Sequence, residues 1–260
     1  MLVLVTFAVE AEFAPWRKLR HFVLRKNTSV PVWTTKIEGA EVTVLLTGIG
    51  DSSERSMGLM MQEVPAGRYF NVCISSGLAG ALRADLSRGE VIVADRFKTH
   101  KMHAHPRMEI LEADRELVEL AAFCGAKRVA TLFSANHVLS TAKEKSLLCE
   151  SADAVDMESF TIANEVCPWG ARVVAIRAIS DAASEDLPID FNRTLSSRKA
   201  VSIPRVFSEL AKKPGALPSL IRFGRNSRHA AQRLAEFLDE YVKRVGNRLS
   251  ATAREGAVAR

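Results

Sequence analysis

Asp181 follows an apolar run, Val173-Val-Ala-Ile-Arg-Ala-Ile-Ser, so it is expected at the mouth of a sheet. A carboxyl there, stripped of part of its water, can serve as a general acid. Upstream, Ala154-Val-Asp-Met-Glu-Ser-Phe-Thr-Ile-Ala163 reads as a helix opening on two carboxylates, Asp156 and Glu158. Near a helix N-terminus Glu158 can accept hydrogen bonds from sugar hydroxyls. Taken singly, Asp181 also fits a loop cap and Glu158 a solvated helix start. The pairing of the two segments is what points to chemistry.

The elements that would position these groups alternate strand and helix. Leu2 to Ala8 is a continuous β-rich run, and Glu12 to Leu24 has helical spacing. Val30 to Ile37 and Glu41 to Leu46 read as paired strands around Glu38-Gly-Ala40. Gly48-Ile-Gly50 opens a helix capped by Asp51 or Ser52. Tyr69 to Ser75 is a buried strand ending in the turn-like Ser76-Gly-Leu-Ala-Gly80, and Glu90 to Asp95 is the next strand. Helix 114–124, strand 128–133, helix 141–149, helix 156–166 and strand 172–179 complete the series. This order predicts one α/β domain with a central mixed sheet flanked by helices, with sites beyond the carboxyl ends of strands.

The paired segments resemble the nucleoside phosphorylase superfamily, most nearly its methylthioadenosine/S-adenosylhomocysteine nucleosidases. That family carries V-E-M-E-x-x-x-I-A and then V-V-x-R-x-I-S-D. Val155, Met157, Glu158, Ile162 and Ala163 match the first, and Val174, Arg177, Ile179, Ser180 and Asp181 the second. Phe7-Ala-Val-Glu-Ala-Glu12, Thr47-Gly-Ile-Gly50, Gly77-Leu-Ala-Gly80 and Gly89-Glu-Val-Ile-Val-Ala94 resemble further family stretches in order and spacing. The similarity covers roughly residues 1 to 192.

The resemblance implies cleavage of the N-glycosidic bond of a purine nucleoside or 5′-substituted adenosine. Asp181 would protonate the leaving base, and Glu12 would orient and help deprotonate the attacking water. Glu158 would hold the ribose hydroxyls, Met157 would pack under the ribose, and Ile49 would line the sugar pocket. Ser180 would position Asp181, and Arg177 would support the carboxylates. The chemistry is self-consistent: carboxylates stabilise a cationic, oxocarbenium-like sugar while protonation releases the base. A homodimer is implied, with the loop around residues 96–106 closing the neighbour's site, and neither metal nor organic cofactor.

The chain departs from the pattern around the base. Asp156 stands where the family has Glu, and Leu78 where it has Ser. The family's G-D-A-F-I is Ala135-Asn-His-Val-Leu139, so Val138 and Leu139 would line the base pocket, without the stacking Phe. These changes touch the identity of the substrate more than the type of reaction.

Water is favoured over phosphate as nucleophile. No Arg precedes the Gly-rich turn after Asn71-Val-Cys-Ile-Ser75, and Glu12 would repel an anion. Three alternatives stay open: a phosphate-dependent phosphorylase, including the hopanoid-associated type with a lipid-linked nucleoside; a nucleoside sensor without catalysis; and a reader of nucleic acid. Retention of Glu12, Glu158 and Asp181 argues against the sensor. No aromatic-studded basic sheet or helix-turn-helix supports the reader.

At 260 residues and 47% hydrophobic, the chain suffices for one large core. The net charge of +6 is uneven. From Asp190 onward 15 Lys and Arg face 6 Asp and Glu, whereas the preceding part holds 21 against 24. The resemblance implies a catalytic domain over 1–192, and the remainder is expected as a basic helical extension over 193–246 packed on it and a flexible tail over 247–260. In the extension Leu234, Phe237, Leu238, Tyr241, Val242 and Val245 share one face. Leu217, Leu220, Ile221 and Phe223 beside Arg222, Arg225 and Arg228 leave room for weak contact with a membrane surface.

Four cysteines without a C-x-x-C pair read as reduced thiols, pointing to the cytoplasm. Met1 to Val9, met at once by Glu10 and Glu12, reads as a first strand and not a signal peptide. His100, His103 and His105 crowd one segment, but no carboxylate or thiol completes a metal set.

Overall fold

The computed structural model describes residues 1–50, 52–64, 69–100, 110–194, 203–212 and 214–258. The chain forms one α/β domain around a ten-stranded mixed sheet. Its strands are β1 (Leu2–Phe7), β2 (Val23–Leu24), β3 (Val32–Ile37), β4 (Ala40–Leu46), β5 (Val72–Ala81), β6 (Val91–Thr99), β7 (Ile110–Glu112), β8 (Lys127–Ser134), β9 (Ala154–Asp156) and β10 (Arg172–Asp181). The helices are α1 (Glu10–Leu19), α2 (Ser52–Glu63), α3 (Arg115–Phe123), α4 (Ala142–Ser146), α5 (Ser159–Val166), α6 (Phe191–Thr194), α7 (Ile203–Lys212) and α8 (Leu217–Val258).

Five strands close on themselves. β10 pairs with β5 and with β6, β6 with β8, β8 with β9, and β9 returns to β5. From β5 the sheet continues outward through β1, β4, β3 and β2. β1, β5 and β10 run parallel, so their carboxyl ends open at one edge. β1, β5 and β10 are almost wholly buried, which is why they read as unbroken apolar runs.

The helix expected over 12–24 runs from Glu10 to Leu19, with Val23–Leu24 drawn into a strand paired with β3; three further differences lie near the site. β5 does not stop at Ser75 but continues through Ala81. Gly77 carries it with φ +145, and a Cβ there would overlap the Arg177 guanidinium. The glycines serve close packing and not a turn. Asp156 ends β9 instead of opening a helix, and Glu158 stands at the N-cap of α5. A shift of register between Ile179 and Asp181 sets Asp181 opposite Gly80; such an irregularity re-aims a strand's side chain.

The basic C-terminal segment is part of the core. Leu234, Leu238, Tyr241, Val242 and Val245 of α8 pack with Val3, Val5, Phe13 and Trp16. Tyr241 Oη donates to Leu117 O at 2.9 Å, and Arg20 forks onto Asp239 at 2.5 and 3.0 Å. The backbone of α8 is helical to Val258, so residues 247–258, read above as a tail, prolong that helix. No described helix is long and apolar enough to cross a membrane.

Candidate active site

A cavity of ≈ 860 Å³ opens where the carboxyl ends of β1, β5 and β10 meet α1, α5 and α8. Glu12, Glu158 and Asp181, far apart in sequence, all line it. So do Ile49, Leu78, Val138, Leu139, Met157 and Ser180. Arg177, grouped with them from sequence, does not reach the cavity; it lies behind the wall, 1% exposed.

Glu12 is held by the first turn of α1. Its Oε2 accepts from the amides of Ala8 at 3.0 Å and Val9 at 3.3 Å, closing the helix N-terminus. Its Oε1 accepts from Leu78 N at 3.0 Å, tying β1 to β5. Burial raises its pKa above the ordinary carboxylate value, opposed by the nearby Arg177 charge and these amides.

Glu158 accepts from Gly50 N at 3.0 Å, so the Gly48-Ile49-Gly50 loop is fixed against α5. Burial and then the neighbouring Asp156 push its pKa up to about 8, against the pull of Arg177. Arg177 is the counter-cation of this group. Its Nη2 pairs with Asp156 Oδ2 at 2.7 Å and donates to Ser75 Oγ and Ser159 Oγ at 3.0 and 2.9 Å. Asp156 also accepts from Ser134 Oγ at 2.6 Å and Ser159 N at 3.1 Å.

Asp181 ends β10. Ser180 Oγ donates to its Oδ1 at 2.5 Å, and the Lys145 ammonium meets its Oδ2 at 2.5 Å. Gly80 leaves the space: a Cβ there would lie 3.0 Å from Asp181 Oδ2. Sequence reading missed Lys145, because Thr141-Ala-Lys-Glu-Lys-Ser146 looks like a solvated helix start. It also missed Gly80 as the opening over Asp181, and the amides of Gly50 and Leu78 as anchors.

The far wall is apolar. Phe191 of α6 and Leu220, Phe223 and Ala231 of α8 continue the cavity away from the carboxylates, facing Ala11, Ala14 and Pro15 of α1. Lys18, Arg228 and His137 are the other basic side chains of the lining. Among the described residues no cluster of His, Cys, Asp and Glu is arranged to hold a metal ion. His100 stacks edge-on against Phe133, while His103 and His105, and most of the loop expected to close a neighbour's site, lie outside the described residues.

The family model described as the phosphorylase superfamily matches residues 3–243. A 5'-methylthioadenosine/S-adenosylhomocysteine nucleosidase of Staphylococcus aureus (strain bovine RF122 / ET3-1) is 24% identical over 192 residues, covering 66% of this chain and 82% of that protein. The crystal structure of the Campylobacter jejuni 5'-methylthioadenosine/S-adenosyl homocysteine nucleosidase aligns with a TM-score of 0.70 at 17% identity, over 94% of this chain and 99% of that one. The native futalosine hydrolase of Helicobacter pylori aligns with a TM-score of 0.70 at 20% identity, over 94% and 98%.

Proposed function

The chain belongs to the phosphorylase superfamily, and from that premise we propose that it hydrolyses the N-glycosidic bond of a purine nucleoside or 5′-substituted adenosine. The observation that carries this reading is the convergence of Glu12, Glu158 and Asp181 on one cavity. The relatives named as nucleosidases and as a futalosine hydrolase support the reaction class.

In this reading the base lies against Asp181, between Val138, Leu139 and Val155, and the ribose sits over Met157 with its hydroxyls on Glu158. As the C1′–N bond breaks, its electron pair passes to the base and Asp181 gives the base a proton. Positive charge gathers on the sugar, where Glu12 faces it with negative charge and Glu158 with its carboxyl dipole. Glu12 takes the proton of the attacking water. Burial suits it to that task, since a base must hold a proton well enough to remove one.

Water is preferred to phosphate on the geometry of the cations. Arg177 is tied to Asp156 and shut off from the cavity, and Lys145 is tied to Asp181. Lys18 and Arg228 stand on α1 and α8. A phosphate placed at the sugar would face Glu12 instead.

A second reading concerns the 5′ substituent. The apolar wall of Phe191, Leu220 and Phe223 favours a bulky apolar group, as in the lipid-linked nucleoside of a hopanoid-associated phosphorylase. Leu217 and Ile221 are exposed beside it and offer a weak contact with a membrane surface. We place the protein in the cytoplasm as a homodimer, working without metal or organic cofactor.

The test is incubation with adenosine, inosine, methylthioadenosine and S-adenosylhomocysteine, with and without phosphate. Free base and free sugar formed without phosphate support hydrolysis. Sugar 1-phosphate, formed only with phosphate, overturns it. Binding without turnover of any of the four would favour the sensor.

A further inference from the structure

Resting on the glycosidase reading, we propose that Lys145 is the proton source behind Asp181: it positions that carboxyl and resupplies the proton that Asp181 gives to the base. Lys145 lies in a five-residue helix whose composition is that of a surface, yet its side chain is 1% exposed. All three ammonium protons are directed. Nζ donates to Asp181 Oδ2 at 2.5 Å, to Ala182 O at 2.8 Å and to Glu185 O at 2.9 Å.

The scaffold fixes this geometry from both sides. Thr141 and Glu144 cap the start of α4 reciprocally, at 3.1 and 2.9 Å. Asp186 Oδ1 accepts from Ala142 N at 2.8 Å, so the loop after β10 clamps the same helix. Glu185 is itself held by Arg88. Removing a lysine from water is costly, and a buried ion pair is a poor way to stabilise a fold. A buried ammonium aimed at the acid of the proposed reaction, and lining its cavity, is better explained by the reaction.

The proton balance is closed. An ammonium–carboxylate pair and a leaving base become an amine–carboxylate pair and a protonated base, with Asp181 passing the proton. The C1′–N bond breaks with its electrons on the base, and water, deprotonated by Glu12, fills C1′. Once the base has left, the amine regains a proton from solvent and Glu12 gives up to solvent the one it took from water. Ser180 on Oδ1 and Lys145 on Oδ2 hold both oxygens of Asp181, so the carboxyl cannot turn during the transfer.

The test compares Lys145→Met with wild type on methylthioadenosine and on its N7-methyl cation. The second substrate already carries the positive charge on its base and needs no proton to depart. The proposal predicts a fall in kcat of about 10²-fold or more on methylthioadenosine, with KM changed by less than about threefold, and much the same rate as wild type on the methylated substrate. Equal losses on both substrates would assign Lys145 a structural role and overturn the proposal, as would no loss on either. If Lys145→Met does not fold, Lys145→Ala with added propylammonium replaces it. Recovery of methylthioadenosine cleavage supports the proposal, and no recovery counts against it. Should wild type cleave neither of these nor a nucleoside with a long alkylthio group at C5′, the glycosidase reading fails and this inference with it. Wild-type cleavage with an indifferent variant sinks the inference alone.

Discussion

Arg177 and Asp156 form an ion pair of 2.7 Å with both side chains shut off from water, directly behind the two glutamates of the cavity. The pair balances a site that would otherwise gather three carboxylates in one buried place. Breaking it from one side leaves the buried guanidinium without its ion-pair partner. Asp156→Ala should therefore destabilise the fold by about 3–5 kcal/mol. In a chain of this size that is a fall in Tm of roughly 6–20 °C, read by thermal denaturation. A change within experimental error would mean that Ser75 and Ser159 alone satisfy Arg177.

Asp181→Asn should lower kcat by about 10²–10⁴-fold with KM little altered, since the acid acts in the transition state. Ser180→Ala keeps the carboxyl and loses one hydrogen bond, so its loss should be nearer tenfold. Steady-state kinetics of the two variants on one substrate gives the order. A Ser180→Ala defect as deep as that of Asp181→Asn would refute the assignment.

Glu12 predicts the acid limb of the pH profile. The proposed water activation requires its anion, and burial raises its pKa above the ordinary value of 4.5. Turnover should thus decline as pH falls through a point above the usual carboxylate range, and Glu12→Gln should remove activity by about 10²-fold or more at every pH. A kcat flat down to pH 4.5 would exclude Glu12 as the base.

Glu158 links function to stability, with a defined sign. Its pKa is raised to about 8 in the fold, above the ordinary 4.5, so the folded state binds the proton more tightly than the unfolded one. The stabilising contribution is complete below pH 4.5 and is lost as pH rises towards 8. Glu158→Gln keeps a carbonyl for Gly50 N and removes the charge. At pH 9 it should melt higher than wild type, by about 2–4 °C for each kcal/mol relieved, while losing activity. A lower Tm at pH 9 would contradict this.

The apolar wall can be filled without touching the carboxylates. Gly224 of α8 lines the cavity, and a Cβ there meets nothing within 4 Å. Gly224→Leu should raise KM about tenfold or more for a nucleoside with a long alkylthio group at C5′, and leave adenosine within about threefold, since one side chain can carry ~1–3 kcal/mol of such discrimination. Equal effects on both would show that the substituent lies elsewhere.

Much of this site is legible in the sequence because strand ends place residues by simple rules. Ile179-Ser-Asp181 after a buried run predicts a carboxyl at the sheet mouth, and Asp181 lies there. The contact of Glu12 with the amides of Ala8 and Val9 was not legible, because the helix expected from Glu12 starts at Glu10 and puts Glu12 inside its first turn. What else stayed hidden depends on distant partners. Nothing in Thr141-Ala-Lys-Glu-Lys-Ser146 separates buried Lys145 from its neighbour Lys143; only the carbonyls of 182 and 185 do that. Ser76-Gly-Leu-Ala-Gly80 reads as a turn from its glycines, yet it is a strand because Arg177 and Asp181 need the missing side-chain volume. Asp156 was read with Glu158 as a helix start, but pairing with β8 at Ser134 draws it into the sheet.

The central claim is that Glu12, Glu158 and Asp181 surround a single nucleoside. A crystal structure with 9-deazaadenosine, whose carbon–carbon glycosidic link cannot be cleaved, measures this directly. The ribose hydroxyls should lie within hydrogen-bond reach of Glu158, about 2.6–3.2 Å, with a base nitrogen equally near Asp181 and Glu12 facing C1′. A nucleoside bound with its sugar remote from Glu158 and its base remote from Asp181 would contradict the account.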